Sequence, residues 1–180
     1  RHFHLKGIQL HNRPVQKPRP LLLIGAYSDQ AIRRAARIGD GWMIGGSADR
    51  SEIKRQVQLY HQVLREERSD FRPTVWQFRK VFVGPNRREA VRQAEEFALH
   101  DTQTFGGGAE LREYQKRESS VATKIKENWI VGAPEDLKAQ IDEYARLAEL
   151  DHISLGIGAP KNQPEVVAGK IKEVGKALFG

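Results

Sequence analysis

The sequence predicts an α/β fold in which parallel strands alternate with helices, and three observations carry that reading. Four short runs rich in aliphatic, β-branched or aromatic residues read as strands. Between them lie longer segments whose apolar residues recur at three- and four-residue spacing, the period of one helix face. A glycine closes each strand-like run, at Gly25, Gly45, Gly84 and Gly156. Strands separated by helices must run parallel, with the helices covering the sheet. An open four-stranded sheet fits this order, and so do four of the eight units of a (β/α)8 barrel. An extended arm at the start and the absence of an initial Met favour the half-barrel.

Residues 1–20 contain Pro14, Pro18 and Pro20 with little periodicity and read as an extended lead-in. Leu21 to Ile24 is apolar on both faces, as in a buried parallel strand, and Gly25 is expected to end it. Ser28 is placed to cap a helix reaching Ile38, with Ile32, Ala35 and Ala36 inward. Trp42 to Ile44 is a second strand. Ile53, Val57, Tyr60 and Leu64 form one stripe of the next helix, and residues 75–83 read as a third strand. Asn86 starts a helix with the stripe Val91, Ala94 and Ala98, which completes three βα units over 21–100.

Residues 101–128 break the rhythm, with Gly106 to Gly108 at their centre, and read as an insertion before the last strand. Residues 129–180 resume it. Pro134 suits the first helical position, and Glu135 and Asp136 favour a helix start. Leu137, Ile141, Tyr144 and Ala148 form that helix stripe. His152 to Ile157 is the fourth strand, and Val167, Ile171, Val174 and Leu178 mark the last helix. The whole of 1–180 is therefore expected to be a single partial domain.

The composition bounds the function. The chain has 180 residues, 39% of them hydrophobic and 29% charged, the balance of one globular domain. No apolar run approaches the roughly 20 residues that span a bilayer, and the start has no secretory pattern, so a cytoplasmic address without membrane partners is expected. Cysteine is absent, which excludes disulfides, thiolate metal sites and a Cys nucleophile. The net charge is +7, and residues 1–60 hold the surplus with 11 basic and 4 acidic side chains. Such an asymmetry serves an anionic ligand, nucleic acid or an acidic partner, or it is a solvated face balanced from elsewhere.

Ligands of parallel α/β folds bind beyond the carboxyl ends of the strands. Two adjacent loops there are rich in small residues and lead into helices: Gly25-Ala26-Tyr27-Ser28 and Gly45-Gly46-Ser47. Backbone N–H groups at a helix start favour an anion, and glycine admits a phosphate close to the main chain. The same glycines also serve simply to punctuate strand ends. The standard dinucleotide and P-loop fingerprints are missing. Among the histidines, His2 and His4 lack a third metal ligand at sensible spacing, His61 falls on a helix surface, and His152 opens a strand at the far end from the loops. Ser28 and Ser47 have no base nearby, and Glu66, Glu67, Glu95 and Glu96 read as solvated. A phosphate-sized cradle without acid, base or metal suits a cofactor that brings its own chemistry.

Three segments carry a resemblance to a known family. Pro20 to Ser28, then Ala31 to Ala36, then Ile38-Gly-Asp-Gly-Trp-Met-Ile44 resemble the luciferase-like monooxygenase superfamily, as do Val131-Gly-Ala-Pro-Glu-Asp-Leu137 and Asp151-His-Ile153. The resemblance spans nearly the whole chain. It implies the C-terminal half, strands five to eight, of a (β/α)8 TIM barrel with an insertion before the last strand. It implies FMN or a deazaflavin coenzyme as cofactor, and a flavin- or deazaflavin-dependent oxidoreductase or monooxygenase acting on a small organic substrate. By this resemblance the cofactor phosphate is held by Gly25, Ala26, Tyr27 and Ser28 together with Gly45, Gly46 and Ser47. Ala26 and Tyr27 stand where the family more often has glycine and a small residue. Residues that touch the flavin ring and the substrate belong mostly to the N-terminal half-barrel, the expected partner of this half. The resemblance also places residues 101–128 over the substrate. Bare sheet edges further predict a homo-oligomer. A non-catalytic flavin-binding relative, and a basic module for nucleic acid or an acidic partner, are the competing readings. The second is disfavoured by the lack of any nucleic-acid motif.

Overall fold

The structure is a computed structural model that describes residue 4 and residues 6–9, 12–46, 48–104, 121–158 and 164–180, with the backbone alone described at 99–104 and 121. Ser47, His2, the centre of the 101–128 segment and its three glycines lie outside the described residues.

Five strands form one parallel sheet: β1 (Leu23–Ala26), β2 (Gly41–Ile44), β3 (Thr74–Val83), β4 (Ile130–Gly132) and β5 (His152–Ile157). The helices are α1 (Asp29–Ile38), α2 (Arg50–Glu67), α3 (Arg87–Thr104), α4 (Pro134–Ala148) and α5 (Pro164–Phe179). A helical turn at Val121–Thr123 runs into a π-helical turn at Lys124–Asn128, closed by the Trp129 N–H on the Lys124 carbonyl at 2.9 Å.

The expected order of strand and helix holds, with two corrections. The first strand is shifted, because Gly25 lies inside β1 and pairs with Met43 instead of ending the strand. The second correction is β4, a strand that the sequence reading lacks. β3 has ten residues and β2 only four, so β2 covers Thr74 to Gln77 and leaves the upper edge of β3 bare. Ile130 to Gly132 pair there with Val81 to Val83. β5 lies along Trp76 to Val81, overlapping both stretches, and therefore takes the opposite edge. The continuous wall is β1-β2-β3-β5, in chain order.

Local chemistry explains the helix ends. Ser28 accepts from the Ala31 N–H at 3.4 Å, Asp49 from Glu52 at 2.8 Å, and Asn86 from Glu89 at 3.0 Å. Pro134 opens α4, and Asp136 reaches back to accept from the Ala133 N–H at 3.0 Å. The stripes pack as their spacing requires. Ile32, Ile53, Tyr60, Leu137 and Tyr144 are fully buried against Trp42, Ile44 and Val81. A second cluster joins Phe82, Trp129 and Val131 to the alanines Ala90, Ala94 and Ala98 of α3. The α5 stripe is looser than its spacing predicts. Ile171 is 54% exposed and lines an apolar groove of about 670 Å³ between α4, β5 and α5.

The lead-in is tied down at its end. Asp40 accepts from the Arg19 guanidinium and from the Leu22 N–H, and these bonds pull its carboxyl down to about 2. A depressed carboxylate contributes above its unfolded value of about 3.9 and stops contributing as pH falls through its folded value. We expect the Leu22 amide resonance to titrate with a midpoint near 2, and Asp40→Asn to abolish that titration. A midpoint near 4 would show that the clasp is not formed.

Candidate functional site

Alternation along β3 divides the sheet into two faces. Val75, Gln77, Arg79, Val81 and Val83 point toward the helices and are buried. Trp76 and Phe78 point to the other face, Trp76 in the row of Met43 and Gly25 and Phe78 one row on, opposite Ser154 of β5. That face is open: Met43 and Phe78 remain 36% and 37% exposed. Glycines let it pack. A Cβ at Gly156 would lie 2.4 Å from the Phe78 ring, one at Gly158 2.2 Å from Phe82, and one at Gly46 3.0 Å from Phe78. Phe78 thus stands between the loop after β2 and strand β5. Above it, Lys80 places its ammonium 4.3 Å from the Phe97 ring centroid and 5.7 Å from that of Trp129.

The two loops singled out by the sequence do come side by side, because Ala26 pairs with Ile44 at the carboxyl ends of β1 and β2. Ala26 is buried, and its carbonyl accepts from the Trp42 indole N–H at 3.0 Å. Tyr27 is 43% exposed, and its carbonyl accepts from Gln56 at 2.9 Å. Ser28 is the α1 cap. A Cβ at Gly25 would meet nothing within 4 Å, so the open face begins there with free space.

Charge ties the two helix starts together. Arg55 donates to Asp29 at the start of α1 at 2.7 Å and to Glu52 in the first turn of α2 at 2.7 Å. The Arg55 guanidinium holds both carboxyls below their ordinary values. Gln56 bridges Glu52 and the Tyr27 carbonyl. Each helix start has four N–H groups beyond the reach of intrahelical bonding. Ser28 takes the N–H at the third position of α1, and Asp49 takes that of α2 with the Ser51 N–H also turned to its carboxylate. Backbone N–H groups at helix starts are donors of the kind that suit a flavin-type phosphate. Arg55 offsets part of the charge of Asp29 and Glu52, and the Asp49 carboxylate lies at the same edge as the cap of α2.

Among the described residues no group of three or more His, Asp and Glu is arranged to hold a metal. His61 is half-buried and not fully solvated, with its ring edge-on to Tyr60 and Nε2 3.7 Å from Glu149. His152 stacks near Trp76 at 4.7 Å between ring centroids, at the amino end of β5. Several arginines of the basic first third are balanced from farther along the chain, Arg37 by Glu67 and Arg50 by Glu127 and Glu143. No described helix is long and apolar enough to cross a membrane. Sequence reasoning missed the inner face of β3, although the alternation of Trp76, Phe78, Lys80 and Phe82 was a readable signal.

Five parallel strands flanked by helices make this a parallel α/β protein, with an open aromatic face and two helix starts at the carboxyl edge of its wall. The chain belongs to the luciferase-like monooxygenase family, whose model matches residues 1–149. A search of curated protein sequences finds no match. Among solved structures, monooxygenase RslO1 from Streptomyces bottropensis superposes with a TM-score of 0.72 at 18% identity, over 94% of this chain and 50% of that one. An F420-dependent secondary alcohol dehydrogenase, solved with an F420–acetone adduct, gives 0.63 at 19% identity over 91% and 50%. The oxygenating constituent of 3,6-diketocamphane monooxygenase from Pseudomonas putida, a type II Baeyer–Villiger enzyme solved with FMN, gives 0.59 at 14% over 87% and 47%. The chain therefore spans about half the length of these structures, which share the luciferase-like TIM-barrel fold.

Proposed function

We propose that this chain forms the C-terminal half, strands five to eight, of a (β/α)8 barrel, and serves a flavin- or deazaflavin-dependent oxidoreductase or monooxygenase. The observation that carries the reading is the pair of helix starts, α1 and α2, tied by Arg55 beside an open aromatic face. In this reading the wall β1-β2-β3-β5 supplies strands five to eight, and β4 is an accessory strand on the tall strand seven. The N-terminal half of the same protein pairs with the bare edges of β1 and β5 and supplies the catalytic residues. The assembled enzyme forms a homo-oligomer in the cytoplasm and acts on a small organic substrate.

The cofactor, FMN or a deazaflavin, supplies the redox chemistry when bound. The residues of this chain hold and orient it. The N–H groups at the starts of α1 and α2, together with the segments 25–28 and 45–47 that precede them, donate to the phosphate. Gly25 keeps the main chain approachable, the Ser47 hydroxyl adds one contact, and Phe78 and Trp76 exclude water along the ring.

Gly25→Val in the full-length protein tests the phosphate site. The new side chain enters free space, so the fold should survive while the approach to β1 closes. We expect FMN affinity to fall at least tenfold, with riboflavin, which lacks the phosphate, affected less than twofold. Gly45→Val should act likewise, and Ser47→Ala should cost roughly 0.5–1.5 kcal/mol. Flavin fluorescence titration reads all three. Equal losses for FMN and riboflavin would refute the phosphate assignment.

A further inference from the structure

One buried cation is not accounted for by cofactor binding as described. Arg79 is fully buried on the helix side of β3, where alternation would place an apolar residue. Its guanidinium donates to the carbonyls of Gly46 at 2.8 Å and Ala48 at 3.0 Å, in the loop after β2. It also donates to the Asn128 carbonyl at 3.0 Å, the last residue of the π-helical turn. One planar group thus joins two segments that are far apart in sequence. The turn is gripped from two more sides. Tyr144 donates its hydroxyl to the Glu127 carbonyl at 2.7 Å, and Arg50, the first residue of α2, donates to the Lys126 carbonyl at 2.8 Å. The Tyr144 ring centroid lies 4.3 Å from the Arg79 guanidinium and 5.0 Å from that of Arg50. Burying a guanidinium is costly unless its donors are met by acceptors in good geometry. Here the acceptors are main-chain carbonyls of two irregular segments, so the charge is stable only while both segments are in place.

We propose that Arg79, Tyr144 and Arg50 form a positioning cluster that couples the loop at 46–49 to the turn at 124–128. The proposal rests on the phosphate reading of the loop given above. The Ala48 carbonyl faces Arg79, and in a planar trans peptide the Asp49 N–H then points away from it. The guanidinium thereby sets which way the loop presents its donors. An anion that fixes the loop must also steady the turn through the same group, and a shift of the turn must change the grip on the anion, since coupling between two sites is reciprocal. π-helical turns recur at functional sites, which accords with a segment kept in an otherwise unfavourable form by side chains around it.

The test uses the full-length protein and cofactor pairs with and without phosphate: FMN against riboflavin, and F420 against its phosphate-free deazaflavin core. In the wild type, the phosphate-bearing member should bind more tightly and should slow hydrogen exchange at residues 124–129. Arg79→Met should reduce that member's affinity about tenfold and leave the phosphate-free member within twofold. Tyr144→Phe keeps the ring but loses the bond to Glu127. It should abolish the exchange protection at 124–129 and cost about threefold in affinity for the phosphate-bearing member alone. Arg79→Lys, which cannot reach three carbonyls with one planar fork, should behave like Arg79→Met. Equal wild-type affinities within each pair would overturn the phosphate reading and this inference together. A wild-type preference for phosphate that Arg79→Met leaves intact would overturn the coupling alone. Should Arg79→Met not fold, the coupling is still overturned if the wild type prefers phosphate yet shows no protection at 124–129.

Discussion

Replacing Trp42 by alanine is expected to lower the unfolding free energy by about 3–5 kcal/mol, among the largest single losses in the molecule. The indole is fully buried in β2, its ring centroid lies 4.9 Å from that of Tyr60, and its N–H closes on the Ala26 carbonyl. The substitution removes the packing, opens a cavity and leaves a buried carbonyl without its donor. Trp42→Phe separates these effects, because it keeps most of the packing and loses the donor, at a cost of about 1–3 kcal/mol. Urea unfolding with an unchanged slope measures both. The site should suffer too, because the Ala26 carbonyl anchors the end of β1 just ahead of Tyr27 and Ser28. A loss below about 1 kcal/mol for Trp42→Ala would mean that the indole does not hold β1 and α2 together.

Gly41→Ala should also be severe, at about 3 kcal/mol, the upper end of ordinary overpacking. A Cβ there would sit 2.2 Å from the Thr74 carbonyl oxygen and 2.5 Å from a Leu23 methyl group. The obstacle is main chain. Thr74 is fixed by the bond from its N–H to the Asp40 carbonyl at 3.1 Å, so β2 and β3 would have to part. Gly169→Ala in α5 is the contrast. Its Cβ meets nothing within 4 Å, and alanine in a helix interior should stabilise by roughly 0.5–1 kcal/mol. Thermal unfolding of the two variants should therefore move in opposite directions. A neutral Gly41→Ala would contradict the pairing of β2 with β3.

Much of this architecture was legible in the sequence because it is encoded locally. Ser28, Asn86 and Pro134 mark helix starts through chemistry that acts over three residues. The stripe Ile53, Val57, Tyr60 and Leu64 is buried because a helix of 3.6 residues per turn brings those positions onto one face. Adjacency of the loops after β1 and β2 followed from the alternation of strand and helix. The helices and the order of the four wall strands could be read in this way, and the family by resemblance.

Other features were decided only when distant segments met. Three residues, Ile130 to Gly132, carry no strand signal of their own. They pair because β3 outgrows β2, and the bare upper edge of β3 needs partners for its backbone groups. Gly25 looked like a strand terminator, yet Met43 draws it into β1. Arg79 falls within residues 75–83, which the sequence marks only as a strand. Its burial depends on carbonyls at Gly46, Ala48 and Asn128. Capping and periodicity act within a few residues, so sequence alone determines them. A buried charge or a short added strand is stable only through acceptors brought from tens of residues away, and only the tertiary structure supplies those.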